Sequence, residues 1–278
     1  MGQSDFKRVE LEIDICMRLT HPGLVQCYGT SEQVSMQGAL DKLWIVMECC
    51  DHGTLDDMLH TKKYTGGQLA GTKYNIKPPR MLQWMREIAS GMGFLHERDV
   101  CHRDLKAANV LIDRHKSCRM CDYGVSKLMG SQSLSNEGSS GVSSSGQIGT
   151  WDYMPPEALL GEPSGAALAS DEKATALDIY SFGVLLNEMA SGARPWSQIP
   201  KSNPARSFVI QNLVTEKNER PILAAGISPD FRKLIDECWA TNPMDRPQFD
   251  GPGGIIARLE EIGNYTSAPS GIEMLASG

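Results

Sequence analysis

The densest group of chemically active side chains lies in one short segment, residues 102–109, which reads HRDLKAAN. It contains a carboxylate at Asp104, an ammonium group at Lys106 and an amide at Asn109. A second carboxylate, Asp122, follows Asn109 by thirteen residues and begins the triplet DYG. The set therefore offers one candidate base, one cation and two hard oxygen ligands.

These groups suit the transfer of a phosphoryl group to a hydroxyl. That reaction needs a group that orients the hydroxyl, cations that spread the phosphate charge, and ligands for those cations. Asp104 can accept or orient the hydroxyl proton, and Lys106 can neutralise the transferred phosphate. Asn109 and Asp122 carry oxygens of the kind that Mg²⁺ binds. A DYG triplet alone more often marks a turn, and a lone His102 more often belongs to a core, so the prediction depends on the order and spacing of the whole set.

The surrounding pattern predicts a short β-rich part followed by a helical part. Apolar residues at helical spacing, bounded by turn residues, predict helices. Thr54 is the candidate N-cap of one of them. We expect strands over Leu24–Gly29 and Leu43–Cys49 and helices over 6–19, 54–60, 80–96, 176–191, 205–215, 229–239 and 253–263. The Lys-, Gly-, Pro- and Ser-rich stretches are expected to be loops, at 61–79, 130–147 and 161–172.

The composition narrows the class of protein. With 27 basic and 34 acidic side chains, the net charge of −7 argues against nucleic acid as the main partner. No apolar run approaches the roughly 20 residues that span a bilayer, so we expect no membrane partner. The eight cysteines lie scattered in apolar contexts, as in a reduced cytoplasmic protein. These features predict a soluble, cytoplasmic chain.

Three further segments repeat a known order of motifs. They are GTWDYMPPE at 149–157, DIYSFG at 178–183, and the pair formed by CW at 238–239 and DRP at 245–247. Together with HRDLKAAN and DYG, they resemble the catalytic domain of eukaryotic protein kinases, of the serine/threonine or tyrosine-kinase-like type. The resemblance runs from about residue 6 to residue 262.

The resemblance implies an α+β fold with two lobes. It assigns residues 1–50 to a truncated small β lobe with helix C, strands 4 and 5 and the hinge. Residues 51–265 would form a complete helical large lobe, and 266–278 a tail.

The resemblance also implies ATP and Mg as cofactors and a nucleotide site. Met47 would be the gatekeeper and would also be an ordinary core methionine, since the two interpretations can hold together. Main-chain groups of Glu48 and Cys50 would meet the adenine edge, with Leu111 beneath the ring. In the phosphate region, Asn109 and Asp122 would bind the metal.

Several residues are implied to support the site. Glu12 corresponds to the helix-C glutamate, and Arg246 is expected to form a buried ion pair with Glu157. Asp178 is expected to anchor a hydrophobic spine formed by Cys16, Cys27, His102 and Tyr123, in which the two cysteines are unusually small.

Lys106 and the Gly149-Thr150 pair resemble serine/threonine kinases, which implies Ser/Thr hydroxyls of protein substrates as acceptors. Arg103 marks the subtype in which an activation-loop phosphate pairs with that arginine, so an upstream activating kinase is a possible partner. Ser143–Ser145 lie nearest the right place. The alternative is a flexible linker whose serines only confer solubility.

The sequence departs from the family pattern ahead of Glu12, where no glycine-rich loop and no strand-3 lysine precede that residue. Three explanations remain open: an incomplete piece of a kinase, a catalytically impaired pseudokinase acting as a scaffold, or a lobe completed by another chain. A kinase-like small-molecule phosphotransferase and a pure binding module are further alternatives. We expect residues 1–278 alone to be poorly soluble and to bind ATP weakly or not at all.

Overall fold

The computed structural model describes residue 13 and residues 16–34, 40–61, 78–123, 151–160 and 171–267. Its strands are β1 (Cys27–Val34), β2 (Leu40–Met47), β3 (Val110–Ile112) and β4 (Cys118–Met120). Its α-helices are α1 (Leu55–His60), α2 (Pro78–His96), α3 (Pro156–Leu159), α4 (Asp171–Ser191), α5 (Arg206–Thr215), α6 (Pro229–Cys238) and α7 (Ile255–Ser267). Short 3-10 turns cover Ala107–Asn109, Trp151–Tyr153 and Pro243–Asp245. The expected α+β class is confirmed.

Helix positions follow the apolar periodicity closely. Thr54 caps α1 as expected: its hydroxyl accepts the Asp57 amide at 3.0 Å, and the Asp57 carboxylate accepts the Thr54 amide at 3.2 Å. Of the helix expected over 6–19, Ile13 and residues 16–19 are described; Ile13 and residues 16–18 are helical, whereas Leu19 is not. Helix α4 begins at Asp171, earlier than the expected 176.

The first strand is displaced from its expected position. It begins at Cys27 rather than Leu24, because Leu24 forms an isolated parallel bridge with Met120. The Val25 amide likewise donates to the Met120 carbonyl at 2.9 Å. Residues 24 and 25 therefore connect the segment that leads into β1 with strand β4 of the other sheet. The second strand ends at Met47, which leaves Cys49 outside it.

The main core lies around α2 and α4. Helix α2 is amphipathic and buries one face, including Ile88 and Met92. Helix α4 is buried on every side over most of its length, including Phe182 and Leu185, as expected for a helix at the centre of a domain. A second cluster lies beneath α5 and contains Leu159, Trp196, Ile210 and Val214.

The two sheets differ in how they are covered. Strands β3 and β4 form a short antiparallel pair whose alternate residues are buried. Strands β1 and β2 also pair antiparallel, yet four successive side chains of β2 are 42% to 49% exposed, namely Trp44, Ile45, Val46 and Met47. Since successive residues point to opposite faces, both faces of β2 are partly exposed between Trp44 and Met47. The interpretation of Met47 as a core methionine is therefore wrong.

None of the helices in the described ranges is long and apolar enough to cross a membrane. Several predicted residues fall outside those ranges: Glu12, Gly149, Thr150, Ser143–Ser145 and much of the three predicted loops.

Candidate active site

The loop carrying residues 102–106 is fixed by one buried carboxylate, Asp178 of α4. Its Oδ2 accepts the His102 amide at 2.8 Å and His96 Nε2 at 2.9 Å, and its Oδ1 accepts the Arg103 amide at 2.7 Å. Burial alone would raise the pKa of Asp178, but the bond and charge of His96 and the charge of His102 hold this pKa below its usual value. The carboxylate stays ionised and anchors the loop at His102, which is one member of the predicted spine.

Three of the four expected catalytic side chains are in direct contact. The ammonium group of Lys106 lies 2.6 Å from Asp104 Oδ2. Asn109 Nδ2 donates to the same oxygen at 2.9 Å and to the Asp104 carbonyl at 2.8 Å. The side chain of Asp104 remains 29% exposed, against 9% for Lys106. Asp104 is thus oriented by its contacts with Lys106 and Asn109, and part of its side chain remains accessible to solvent.

The 3-10 turn Ala107–Asn109 and the β3–β4 pair place the second metal-ligand candidate. The turn ends directly before β3, whose Val110 pairs with Met120 of β4. The Cys121 amide then donates to the Asn109 carbonyl at 2.9 Å. Asn109 and Asp122 consequently leave the same end of this pair. Because the Asn109 amide nitrogen is used on Asp104, its amide oxygen is the atom suited to a cation.

The backbone at Asp122 is unusual, since its φ is 60°. Non-glycine residues rarely adopt this left-handed region, and where they do, surrounding contacts must hold them there. Arg103 shares the feature, with a φ of 64°. Both expected functional residues therefore have a backbone that depends on its neighbours.

Tyr123, beside Asp122, is a residue whose hydroxyl the sequence reasoning did not use. The side chain is buried, and its hydroxyl donates to the Val25 carbonyl at 2.8 Å. Burial raises its pKa above the usual range, with smaller contributions from Cys16, Cys27 and Cys121, so the hydroxyl stays a donor. The signal was the tyrosine itself, since protein kinases commonly carry phenylalanine in this triplet.

The expected hinge residues lie against the β3–β4 pair. The Glu48 amide donates to the Gln26 carbonyl at 2.8 Å, so its carbonyl is the main-chain group left to face an adenine edge. Around Cys50, the His52 amide donates to Ile112 and the Ile112 amide to Gly53, at 3.1 and 2.9 Å. These bonds seat the hinge over β3, which carries Leu111. Burial, followed by the charge of Glu48, raises the pKa of the Cys50 thiol to about 11, so it is not a nucleophile at neutral pH.

Arg119 of β4 is a second residue that the sequence reasoning missed. Its guanidinium donates to the Pro22 carbonyl, lies 2.9 Å from Asp113 Oδ2 and lies 3.5 Å from Glu48 Oε1. It thereby ties the hinge to β4 three residues before Asp122. A scattered arginine within a strand carries no spacing signal, which is why sequence alone did not single it out.

Arg246 and Glu157 form a two-pronged ion pair. The two Arg246 terminal nitrogens lie 2.6 and 3.0 Å from the two Glu157 oxygens. The arginine also donates to the carbonyls of Ala240 and Ala176, at 2.9 and 2.8 Å. The pair is only partly buried, because the Glu157 side chain is 22% exposed while that of Arg246 is fully enclosed.

A further polar network joins α1 to the C-terminal part of α4. Glu188 accepts the Tyr153 hydroxyl at 2.5 Å and lies 2.7 Å from His60 Nε2. Arg194 binds Asp56, with one contact at 2.9 Å. Asp56, His60 and Glu188 are close enough to hold a metal ion. Both carboxylates already have donors, however, so the group is a hydrogen-bonded brace between helices.

Comparisons with known proteins identify the family of this chain. Residues 2–251 match the family described as protein kinase domain. The chain is 32% identical over 240 residues to serine/threonine-protein kinase CTR1 of Arabidopsis thaliana, covering 86% of this chain and 25% of the relative. It is 30% identical over 252 residues to the dual specificity protein kinase shkD of Dictyostelium discoideum, covering 90% and 28%.

A third relative is the serine/threonine/tyrosine-protein kinase HT1 of Arabidopsis thaliana, 28% identical over 250 residues, covering 90% of this chain and 54% of that protein. The aligned region thus spans from a quarter to about half of these relatives. The family match extends over most of the chain and includes the whole Asp104, Asn109 and Asp122 constellation. The chain belongs to the protein kinase family.

Proposed function

We propose that this protein transfers the γ-phosphate of ATP to Ser/Thr hydroxyls of protein substrates. The observation that carries the proposal is the contact of Lys106 and Asn109 with a single oxygen of Asp104. This arrangement leaves Asp104 partly exposed and fixed in direction, as a base that orients a hydroxyl must be. Lys106, beside it, can neutralise the phosphate that the hydroxyl attacks.

Mg²⁺ is the cation that the residues fit. The donor set is a carboxylate at Asp122 and an amide oxygen at Asn109, both hard ligands held at one end of the β3–β4 pair. When bound, Mg²⁺ would neutralise charge on the ATP phosphates. Asp122 and Asn109 would hold the cation, while the hinge at Glu48 and Cys50, with Leu111 below, would receive the adenine.

Lys106 and the names of the relatives support Ser/Thr hydroxyls as the phosphate acceptor. CTR1 is named a serine/threonine kinase, while HT1 and shkD are named for wider specificity. Ser/Thr is our first choice and tyrosine the second. For regulation, we propose that Arg103 pairs with a phosphate added within 131–145 by an upstream kinase, because its backbone is held in place by Asp178.

The test is phosphorylation of a degenerate peptide library by the wild-type chain and by Asp104→Asn. The substitution keeps the shape of the side chain and removes the base, so transfer should fall by roughly 10²–10⁴-fold. Asp230→Asn makes the same change at an exposed site on α6 and should leave the rate unchanged.

The outcomes separate the proposal from its alternatives. Equal rates in Asp104→Asn and wild type would remove Asp104 from catalysis. A folded wild-type chain that binds nucleotide and transfers nothing would favour the scaffold. Phosphate found only on tyrosine would favour the second acceptor.

A further inference from the structure

The Tyr123 hydroxyl connects two segments that belong to different sheets: the chain leading into β1 and the chain following β4. Its bond to the Val25 carbonyl measures 2.8 Å. The amide of the same residue, Val25, donates to the Met120 carbonyl at 2.9 Å, and the Met120 amide donates to Gly23 at 2.8 Å. The side-chain bond therefore completes a ladder that runs from the end of β4 to the chain leading into β1.

Asp122 lies between the two ends of this ladder. On its N-terminal side, the Cys121 amide is held by Asn109 at 2.9 Å. On its C-terminal side, Tyr123 is anchored by its buried ring and its hydroxyl. A left-handed Asp122 persists only while both sides hold it. The hydroxyl is thus one of the contacts that keep this backbone conformation in place.

The neighbours of Tyr123 explain why a hydroxyl is needed. Cys16 packs against the core cluster that contains Tyr123, and Cys27 is buried; both side chains are small. Small neighbours offer a ring fewer van der Waals contacts than leucine or methionine would. The hydrogen bond from the Tyr123 hydroxyl to the Val25 carbonyl can fix the orientation of the ring, which packing against small side chains restricts less.

We propose that Tyr123 is a positioning residue whose hydroxyl bond to Val25 holds Asp122 in the conformation that binds Mg²⁺. The link to Mg²⁺ rests on the proposed function, whereas the link between the hydroxyl and the backbone at Asp122 does not. Tyr123→Phe isolates the hydroxyl, because it keeps the ring and leaves the buried Val25 carbonyl without this donor. An unsatisfied buried acceptor destabilises the segment that contains it.

The first experiment is native-state hydrogen exchange on wild type and Tyr123→Phe. The Val25, Met120 and Cys121 amides should exchange about tenfold faster in the variant, because the local opening that exposes them becomes easier. The amide of Ile235, in α6, should be unaffected and serves as the internal reference. Tyr28→Phe removes the hydroxyl of an exposed tyrosine in β1 and should change none of these amides.

The second experiment titrates Mg²⁺ against binding of a non-hydrolysable ATP analogue. Tyr123→Phe should need several-fold more Mg²⁺ for half-maximal tightening, while analogue affinity without Mg²⁺ stays the same. Unchanged exchange at Val25, Met120 and Cys121 would overturn the inference whatever the activity. If the amides exchange faster but the Mg²⁺ requirement is unchanged, the hydroxyl does not hold Asp122 in the conformation that binds Mg²⁺, and the proposal is overturned. Absence of Mg²⁺-dependent binding in the wild type would instead count against the proposed function and leave the exchange result to decide the role of the hydroxyl.

Discussion

Two regions of the molecule differ in how well their residues are covered: the β1–β2 sheet, and residues 102–122 together with Asp178, which we call the frame. In the frame, Asp178 is fully buried and each of its oxygens accepts a hydrogen bond. In the sheet, the apolar side chains of β2 from Trp44 to Met47 are nearly half exposed. Both segments carry residues of the proposed nucleotide site, yet only the frame is stabilised on all sides by described residues.

This difference between the two regions explains where left-handed backbone conformations occur among the expected site residues. Arg103 and Asp122 both have left-handed backbones, and both lie where buried hydrogen bonds fix the adjacent chain. A conformation of this kind costs on the order of 1–3 kcal/mol and needs such support. The β1–β2 sheet has no left-handed non-glycine residue among those described, so its backbone needs less support. The comparison predicts that equal substitutions will have unequal effects in the two regions.

The largest effect is expected from Asp178→Asn. The amide cannot accept all three donors, and its own NH₂ group would face a donor, so folding stability should fall by about 3–5 kcal/mol. Urea denaturation measures the loss, and peptide phosphorylation should drop with it because Arg103 and Asp104 are released. Asp230→Asn is the exposed control.

A loss below about 1 kcal/mol in Asp178→Asn would show that the frame does not depend on its buried carboxylate, since changes of that size are common at ordinary surface sites. The contrast between the two regions would then lose its physical basis.

A smaller but still large effect is expected for the ion pair of the helical part. Arg246→Gln strands the Glu157 carboxylate and removes bonds to two carbonyls, which should cost about 3 kcal/mol. Arg232→Gln breaks the exposed Arg232–Asp236 pair of α6 and should cost under about 0.5 kcal/mol. Thermal or urea unfolding of both variants tests the difference, and equal losses would contradict it.

The smallest effect is expected on the open sheet. Ile45→Thr in β2 should change the free energy of unfolding by less than about 1 kcal/mol and should raise the soluble fraction, because it removes exposed apolar surface. Ile112→Thr, at a fully buried position of β3, should cost roughly 2–4 kcal/mol by burying a hydroxyl and losing packing. A loss at Ile45 as large as that at Ile112 would show that the sheet is covered in solution.

The sequence predicted the helices and a candidate site but not the links between them. Asp104, Asn109 and Asp122 could be proposed as site residues because their types and order suit phosphoryl transfer. The start of β1 was misplaced because Leu24 and Val25 pair with Met120, a contact nearly a hundred residues away that no local pattern encodes.

The positioning contacts were hidden for the same reason. Arg119 gains its role from Pro22, Glu48 and Asp113, which meet only in three dimensions. The exposure of Met47 also could not be predicted, since an apolar run such as LWIVM has the same pattern whether or not the sheet around it is covered.

The central proposal is that Asp122, held in place by the frame, binds the Mg²⁺ ion that neutralises charge on the ATP phosphates. Isothermal titration of a non-hydrolysable ATP analogue, with and without Mg²⁺, tests it most directly in the wild type and in Asp122→Ala. We predict that Mg²⁺ tightens binding to the wild type and to Asp230→Asn but has no such effect on Asp122→Ala. Equal tightening by Mg²⁺ in wild type and Asp122→Ala would contradict the account.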